Sequence, residues 1–218
     1  AYISSGTWSL MGIETEQPIL TDSSFNHLFT NEGGVGQKVR FLKNISGLWL
    51  LQECKRIWDL QEVTDYAALV QEATDAEPLR SVIDPDDPAF LNPPDMPEAI
   101  RGHCRRNGQP EPRTKGEFAR CILESLALKY RLTLDQLREV SPHPIEKIHL
   151  IGGGSLNRLL CQLTADATGL PVIAGPAEAT ALGNILVQIA SHTGKTDLPT
   201  LRGIALNSVN TITYTPQT

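Results

Sequence analysis

An α/β domain is what this sequence predicts, and three patterns carry the prediction. Residues 147–174 read as a buried strand, a triple-glycine turn, a helix closed by Gly169 and a second strand, the order that lays two parallel strands side by side. Residues 1–13 alternate apolar and small polar residues around Gly6, as a hairpin does. Between these segments, apolar residues recur at helical spacing over much of residues 45–140.

Taken in order, residues 1–13 give two short strands about a tight glycine turn. Asn31-Glu32-Gly33-Gly34-Val35-Gly36 reads as a polar turn whose glycines can take positive φ. It precedes a short strand at residues 38–42, in which Val39 and Phe41 share a face. From Ile45, the residues Leu48, Leu51 and Trp58, with Trp49 and Ile57 beside them, predict an amphipathic helix entered through Lys43-Asn44. Helices follow at residues 65–77, 98–106 and 115–130, and helical spacing resumes at 134–140 after a short break. Between the first two lies a stretch punctuated by Pro78, Pro85, Pro88, Pro93, Pro94 and Pro97 among aspartates, an irregular connection suited to a lid or cover. Its acidic run at residues 84–88 reads as a solvated turn, from which Asp84 orients a neighbouring loop. The final elements are a strand at 147–151, a helix at 156–168, a strand at 171–174 and a helix at 179–191.

Composition narrows the function classes. The net charge of −6 argues against a surface for nucleic acid or anionic membrane, since both are bound through concentrated positive charge. No apolar run is long enough to span a bilayer, and no secretory leader opens the chain, so a cytoplasmic location is expected. The absence of an initiator Met marks the sequence as a piece of a longer protein. Cys54, Cys104, Cys121 and Cys161 form no C-x-x-C pair and are expected to be free thiols, with Cys104 and Cys121 the pair to inspect for a bridge. The five histidines have no ligand spacing, and Trp8, Trp49 and Trp58 read as core or interface anchors. Asp166, beside Thr164 on a helix face, reads as a surface or capping group.

Three segments are candidates for chemistry. The turn from Gly152 to Asn157 joins a strand's end to a helix's start, where backbone N–H groups favour anions; tight strand–helix packing explains the glycines equally well. It is no dinucleotide fingerprint, because Asn157 stands where the third glycine belongs. Gly194-Lys195-Thr196 is no P-loop either, with Ile189 at the upstream glycine position, and reads as a helix C-cap and solvated turn. Ser4-Ser5-Gly6-Thr7 is a hydroxyl-rich hairpin tip able to hold phosphate, or an ordinary turn. In Lys43-Asn44-Ile45-Ser46-Gly47, Asn44 suits a neutral polyol and Gly47 a close approach, or the segment simply caps a helix.

In this order, together with Thr30-Asn31-Glu32-Gly33-Gly34, Leu42 to Gln52, Ile83-Asp84-Pro85, Phe90-Leu91-Asn92-Pro93, Ile151 to Asn157 and Ala174 to Asn184, the sequence resembles the C-terminal domain of the FGGY family of carbohydrate kinases. The resemblance covers essentially the whole chain. It implies an actin-like, ribonuclease-H-like ATPase domain, a mixed sheet flanked by helices, with residues 1–218 as one nucleotide-binding unit and an N-terminal sugar-binding domain missing. It implies that Gly6 and Thr7 face the transferring phosphate of ATP, that Gly152, Gly153 and Gly154 hold the nucleotide, that Gln52 reaches ATP and Asn157 the adenosine, and that Asn44 contacts a ketose. Mg²⁺ is implied as the partner of ATP, with no metal ligand among these residues. The implied reaction moves phosphate from ATP to O1 of L-rhamnulose, releasing ADP. L-Fuculose, xylulose or another polyol, and a nucleotide-responsive sugar sensor without turnover, stay open. The family's general base is an Asp in a His-Asp-Thr-like motif ahead of the hairpin. That motif does not occur here, so the 218 residues alone are expected to bind nucleotide weakly and to catalyse nothing.

Overall fold

The computed structural model describes residues 1–194 and 197–217. Strands β1 (Tyr2–Ser5) and β2 (Trp8–Thr15) form the expected hairpin, closed by a Gly6 N–H bond to the Trp8 carbonyl. A short helix, α1 (Asp22–Asn26), follows, started by a capping box in which Thr21 and Ser24 satisfy each other's backbone N–H. Next come β3 (Thr30–Gly33), β4 (Val39–Ser46), α2 (Trp49–Trp58), α3 (Tyr66–Asp75), α4 (Met96–Arg106) and α5 (Lys115–Val140). The chain then alternates through β5 (Ile148–Ile151), α6 (Arg158–Thr168), β6 (Val172–Ala174), α7 (Ala179–Thr193), α8 (Leu198–Ser208) and β7 (Ile212–Tyr214). The strands make one mixed sheet in the order β3-β4-β2-β1-β5-β6-β7. Its parallel pairs are β1 with β5 and β5 with β6.

Several sequence expectations are corrected. Lys43 and Asn44 do not open a helix: β4 runs to Ser46, because β2 offers a ladder partner to all eight of its residues, from Thr15 opposite Val39 to Trp8 opposite Ser46. Phe41 and Ile45 then share the buried face at strand spacing, and helical geometry starts only at Trp49. The supposed turn at residues 31–36 begins as the edge strand β3, and positive φ is confined to Gly36 and Gln37. The break placed after Tyr130 is absent, since α5 is one helix of 26 residues, about 39 Å long, with Thr133, Leu134 and Leu137 buried. Helix α8 and strand β7 had no expectation. Gly194 takes the left-handed cap of α7, and the Lys195-Thr196 part of that expected turn lies outside the described residues.

Burial follows the alternation of the strands. Ile3, Met11, Ile45, Ile148, Leu150 and Val172 turn one sheet face onto α2 to α6, where Leu50, Leu51, Phe118, Ile122, Leu126 and Tyr130 complete the main core. A smaller cluster stacks Phe29 on Phe41, with ring centroids 4.8 Å apart, against Leu137. The proline-rich connection is a pinned cover: Phe90 and Ile83 are buried, Gln109 exchanges hydrogen bonds with both backbone groups of Val82, and Asp84 pairs with Lys129. On the opposite sheet face, α7 and α8 pair through Leu186, Ala190 and Leu201 and stand off the strands. They leave a groove of about 850 Å³ above Tyr2, Ser4 and Arg40. Among the described residues no helix is long and apolar enough to cross a membrane.

At Gly12 the sheet admits no side chain, because a Cβ would fall 2.1 Å from the Phe41 carbonyl oxygen. Gly12→Ala is expected to destabilise the domain by about 1–3 kcal/mol, lowering its calorimetric midpoint. Gly183→Ala, whose Cβ meets nothing within 4 Å, serves as the neutral reference, and equal midpoints would refute the packing argument.

Candidate functional site

Strand polarity gathers the predicted residues at one end of the sheet. β1, β5 and β6 are parallel and end there, β2 starts there, and β4, antiparallel to β2, ends there at Ser46. The Gly6–Thr7 tip, the Gly152–Gly154 turn and the start of α2 therefore lie side by side.

The tip is held by main chain. Gly47 and Trp49 N–H groups donate to the Thr7 carbonyl at 3.1 and 3.2 Å, and the Leu48 N–H donates to the Gly6 carbonyl at 2.8 Å. A Cβ on Gly47 would lie 2.5 Å from the Gly6 oxygen, so only glycine permits this approach. With its backbone fixed, Thr7 is exposed and its Oγ1 donates to Gln52 Oε1 at 3.1 Å. Gln52 stands one turn into α2, so the two residues predicted to touch ATP are joined by a direct bond. Beneath the tip, Ser9 Oγ meets the buried Tyr130 hydroxyl at 2.6 Å, and burial raises the phenol above its ordinary pKa.

The triple-glycine turn divides between its two sequence readings. Gly152 takes φ +84°, and a Cβ there would lie 2.6 Å from the Ser5 carbonyl oxygen. One on Gly154 would lie 2.1 Å from Ser5 Oγ. Both are packing glycines. Gly153 is exposed, and a Cβ on it would meet nothing within 4 Å, so its backbone borders open space near the β1 end at Ser5. Asn157, next along, is only 3% exposed; it caps α6 by accepting the Leu160 N–H at 3.0 Å, which leaves its Nδ2 buried without a partner. Tyr66 packs nearby, its phenol raised chiefly by burial.

Asn44 is exposed and sits opposite Leu10, two residues before the strand's end, on the face turned away from the main core. Sequence reasoning missed the cleft beside it: Thr7, Trp8, Ser46, Trp49 and Leu91 line a space of about 190 Å³. Trp8 is 52% exposed there, so it is no core residue, whereas Trp58 packs on Phe118. The signal for the cleft was two tryptophans flanking the tip and the β4 end. Asp166 is the surface group that one of its two readings expected, accepting the Gln217 N–H at 2.8 Å.

All four cysteines are free and buried, Cys104 and Cys121 included. Burial pushes the Cys161 thiol up to about 12. Among the described residues no group of three or more His, Cys, Asp or Glu side chains converges. His103 instead pairs with Asp87 and His27 with Glu139.

The sequence profile of the FGGY family of carbohydrate kinases, C-terminal domain, matches residues 1–192. The chain belongs to this family. A rhamnulokinase of Bacteroides thetaiotaomicron is 52% identical over 217 residues, all of this chain and 44% of that protein. Rhamnulokinases of Pectobacterium atrosepticum and Bacillus subtilis are 46% and 44% identical over the same length. The chain thus spans less than half the length of these relatives. Among solved structures, a Brucella ovis xylulose kinase superimposes with TM-score 0.68 at 16% identity, over 99% of this chain and 44% of that one. Plasmodium falciparum glycerol kinase with ADP gives TM-score 0.67 at 12% identity, over 99% of this chain and 42% of that one. The fold is that of these FGGY kinases, an α/β actin-like ATPase fold.

The division of the glycine turn is testable in the full-length protein. Gly153→Ala is expected to leave the thermal midpoint within about a degree while weakening binding of a fluorescent ATP analogue severalfold. Gly154→Ala is expected to lower the midpoint by several degrees. The reverse pattern would assign the packing role to Gly153.

Proposed function

We propose that the full-length protein transfers the γ-phosphate of ATP to O1 of L-rhamnulose, giving ADP and L-rhamnulose 1-phosphate, and that residues 1–218 are its nucleotide-binding half. The observation that carries the kinase reading is that the hairpin bearing the exposed Thr7 hydroxyl and the glycine turn bearing the open backbone of Gly153 leave the adjoining ends of β1 and β5. The choice of ketose is supported by rhamnulokinase relatives matched along the whole chain.

Phosphoryl transfer asks little covalent chemistry of a protein; it needs positioning and donors aimed at the phosphoryl oxygens. Thr7 Oγ1 and the Gly6–Thr7 backbone are assigned to the γ-phosphoryl group. The N–H groups of the Gly152–Gly154 turn are assigned to the other phosphates, Gln52 to orienting Thr7 and the nucleotide, and Asn157 to the adenosine end. Asn44, on the same strand that fixes the tip, is assigned to a ketose hydroxyl. Mg²⁺ would come with ATP, supplying neutralisation of phosphate charge; among the described residues no three His, Cys, Asp or Glu side chains converge to hold it separately. The proton of O1 is assigned to the Asp of the family's His-Asp-Thr-like motif, which the 218 residues do not contain.

Coupled ADP release by the full-length protein tests this with L-rhamnulose, L-fuculose and D-xylulose. Turnover is expected to favour L-rhamnulose, and Thr7→Ala to lower kcat by about 10- to 100-fold. Preference for another ketose would retain the kinase and overturn the substrate. Saturable nucleotide binding without sugar-dependent release would overturn the kinase in favour of a sensor.

A further inference from the structure

The strip from Asn44 to Gln52 carries the ketose contact at one end and the nucleotide contact at the other. Its inner side is bonded to β2 and to the hairpin tip. Its outer side is incomplete, because β3 is half the length of β4 and its last pair is Thr30 with Leu42. Beyond that pair, among the described residues, the outer edge of β4 has no strand beside it.

A carboxylate takes the strand's place. Asp86 Oδ1 accepts the Ser46 N–H at 2.7 Å, and Asp86 Oδ2 lies 2.9 Å from Lys129 Nζ. Lys129 also donates to Asp84 Oδ1 at 2.8 Å, and Asp84 Oδ1 accepts the Asp86 N–H at 3.1 Å. Lys129 belongs to the long helix α5 and precedes Tyr130, the residue that holds Ser9 of the hairpin. The tip and the strip are therefore braced on one helix. An ionised acceptor on an N–H is about twice as strong as a neutral one. Its charge does not burden the site: Lys43, within electrostatic reach of Asp84, Asp86 and Lys129, makes the cluster two carboxylates and two ammoniums.

We propose that Asp86 is a positioning residue for phosphoryl transfer. Held by Lys129, it fixes the Ser46–Gly47 end of β4, and thereby the distance between the ketose contact Asn44 and the phosphate-facing Gly6–Thr7 tip. The inference rests on the kinase reading above. Ser46 is bonded from outside by Asp86, and its neighbour Gly47 is bonded from inside by Thr7, so loss of the outer bond frees the strip to shift under the tip. A displacement of about 1 Å at such a site costs up to about 100-fold in rate.

The test compares Asp86→Ala, Asp86→Asn and Lys129→Met in the full-length protein, by steady-state ADP release, thermal midpoint and amide exchange of a peptide spanning residues 43–49. Asp86→Ala is expected to lower kcat at least about tenfold while the KM for ATP stays within about threefold, with faster exchange in that peptide. Asp86→Asn, which keeps an oxygen for the Ser46 N–H, is expected to recover part of the loss in kcat and to slow the exchange again. Lys129→Met, which leaves Asp86 in place but unanchored, is expected to fall between and covers the case in which Asp86→Ala does not fold. Unchanged kcat in Asp86→Ala, or losses in all three variants that track the thermal midpoint without Asn rescue, would overturn the proposal. If the unsubstituted protein releases no ADP with any ketose, the kinase reading fails, and unaltered exchange in Asp86→Ala would then refute the clamp as well.

Discussion

The contact on which the site depends is the meeting of two backbones, the Gly6–Thr7 carbonyls with the amides of residues 47–49. Two of those donors, Leu48 and Trp49, are the first free N–H groups at the start of α2, groups that a helix leaves without intrahelical partners, and Gly47 lies just before them. Leu48, at the N-cap, offers no capping side chain, so the hairpin tip caps the helix. One set of bonds thus ends a helix, seats a turn and aligns Gln52 with Thr7. The arrangement tolerates no side chain at Gly47, and a displaced tip would leave buried backbone donors without partners at roughly 1–3 kcal/mol each.

The glycine turn shows how one motif serves two ends. Gly152 and Gly154 let the turn press against Ser5, which brings the β5 end within contact distance of the β1 end. That closeness sets Gly153 next to the hairpin that carries Thr7. Packing and binding are therefore sequential here: two glycines bring the backbone close, and the third leaves it open. Asn157 extends the pattern, because its oxygen is committed to α6 while its nitrogen has no protein partner.

The hairpin, the β5–turn–α6–β6 unit and the helices α3 to α7 were legible because each rests on local periodicity or on glycine at a sharp turn. Asn44 and the end of β4 were misread for a physical reason. Ile45, Leu48, Leu51 and Trp58 satisfy a helical spacing, and only the ladder offered by β2, some thirty residues earlier, makes Lys43 to Ser46 extended. Helix α8 and β7 lacked an amphipathic signal strong enough to read. Thr7, Gln52 and Gly153 came from motif and resemblance, and the structure brings them together. Asp86 was hidden inside a run that reads as a solvated acidic turn, since no spacing says which aspartate will meet a strand edge. For Trp8 the sequence left core and interface open, because hydrophobicity alone does not distinguish a cleft wall from a core.

The pairing of β1 with β5 has a consequence for the protein's birth at the ribosome. Tyr2 must wait for His149, while β2, β3 and β4 can assemble with β1 from residues close in sequence. At about 5–20 residues per second, one edge of β1 stays open for roughly 7 to 30 s. Early in that interval, before α2 to α5 are made, the nascent sheet presents Ile3, Met11 and Ile45 without the layer that later covers them, and an unpaired strand beside them. The candidate site, which needs both β1 and β5, forms only after residue 151, and β6 and β7 join the sheet later still. Contacts so distant in sequence also slow refolding, because loop closure precedes their reward.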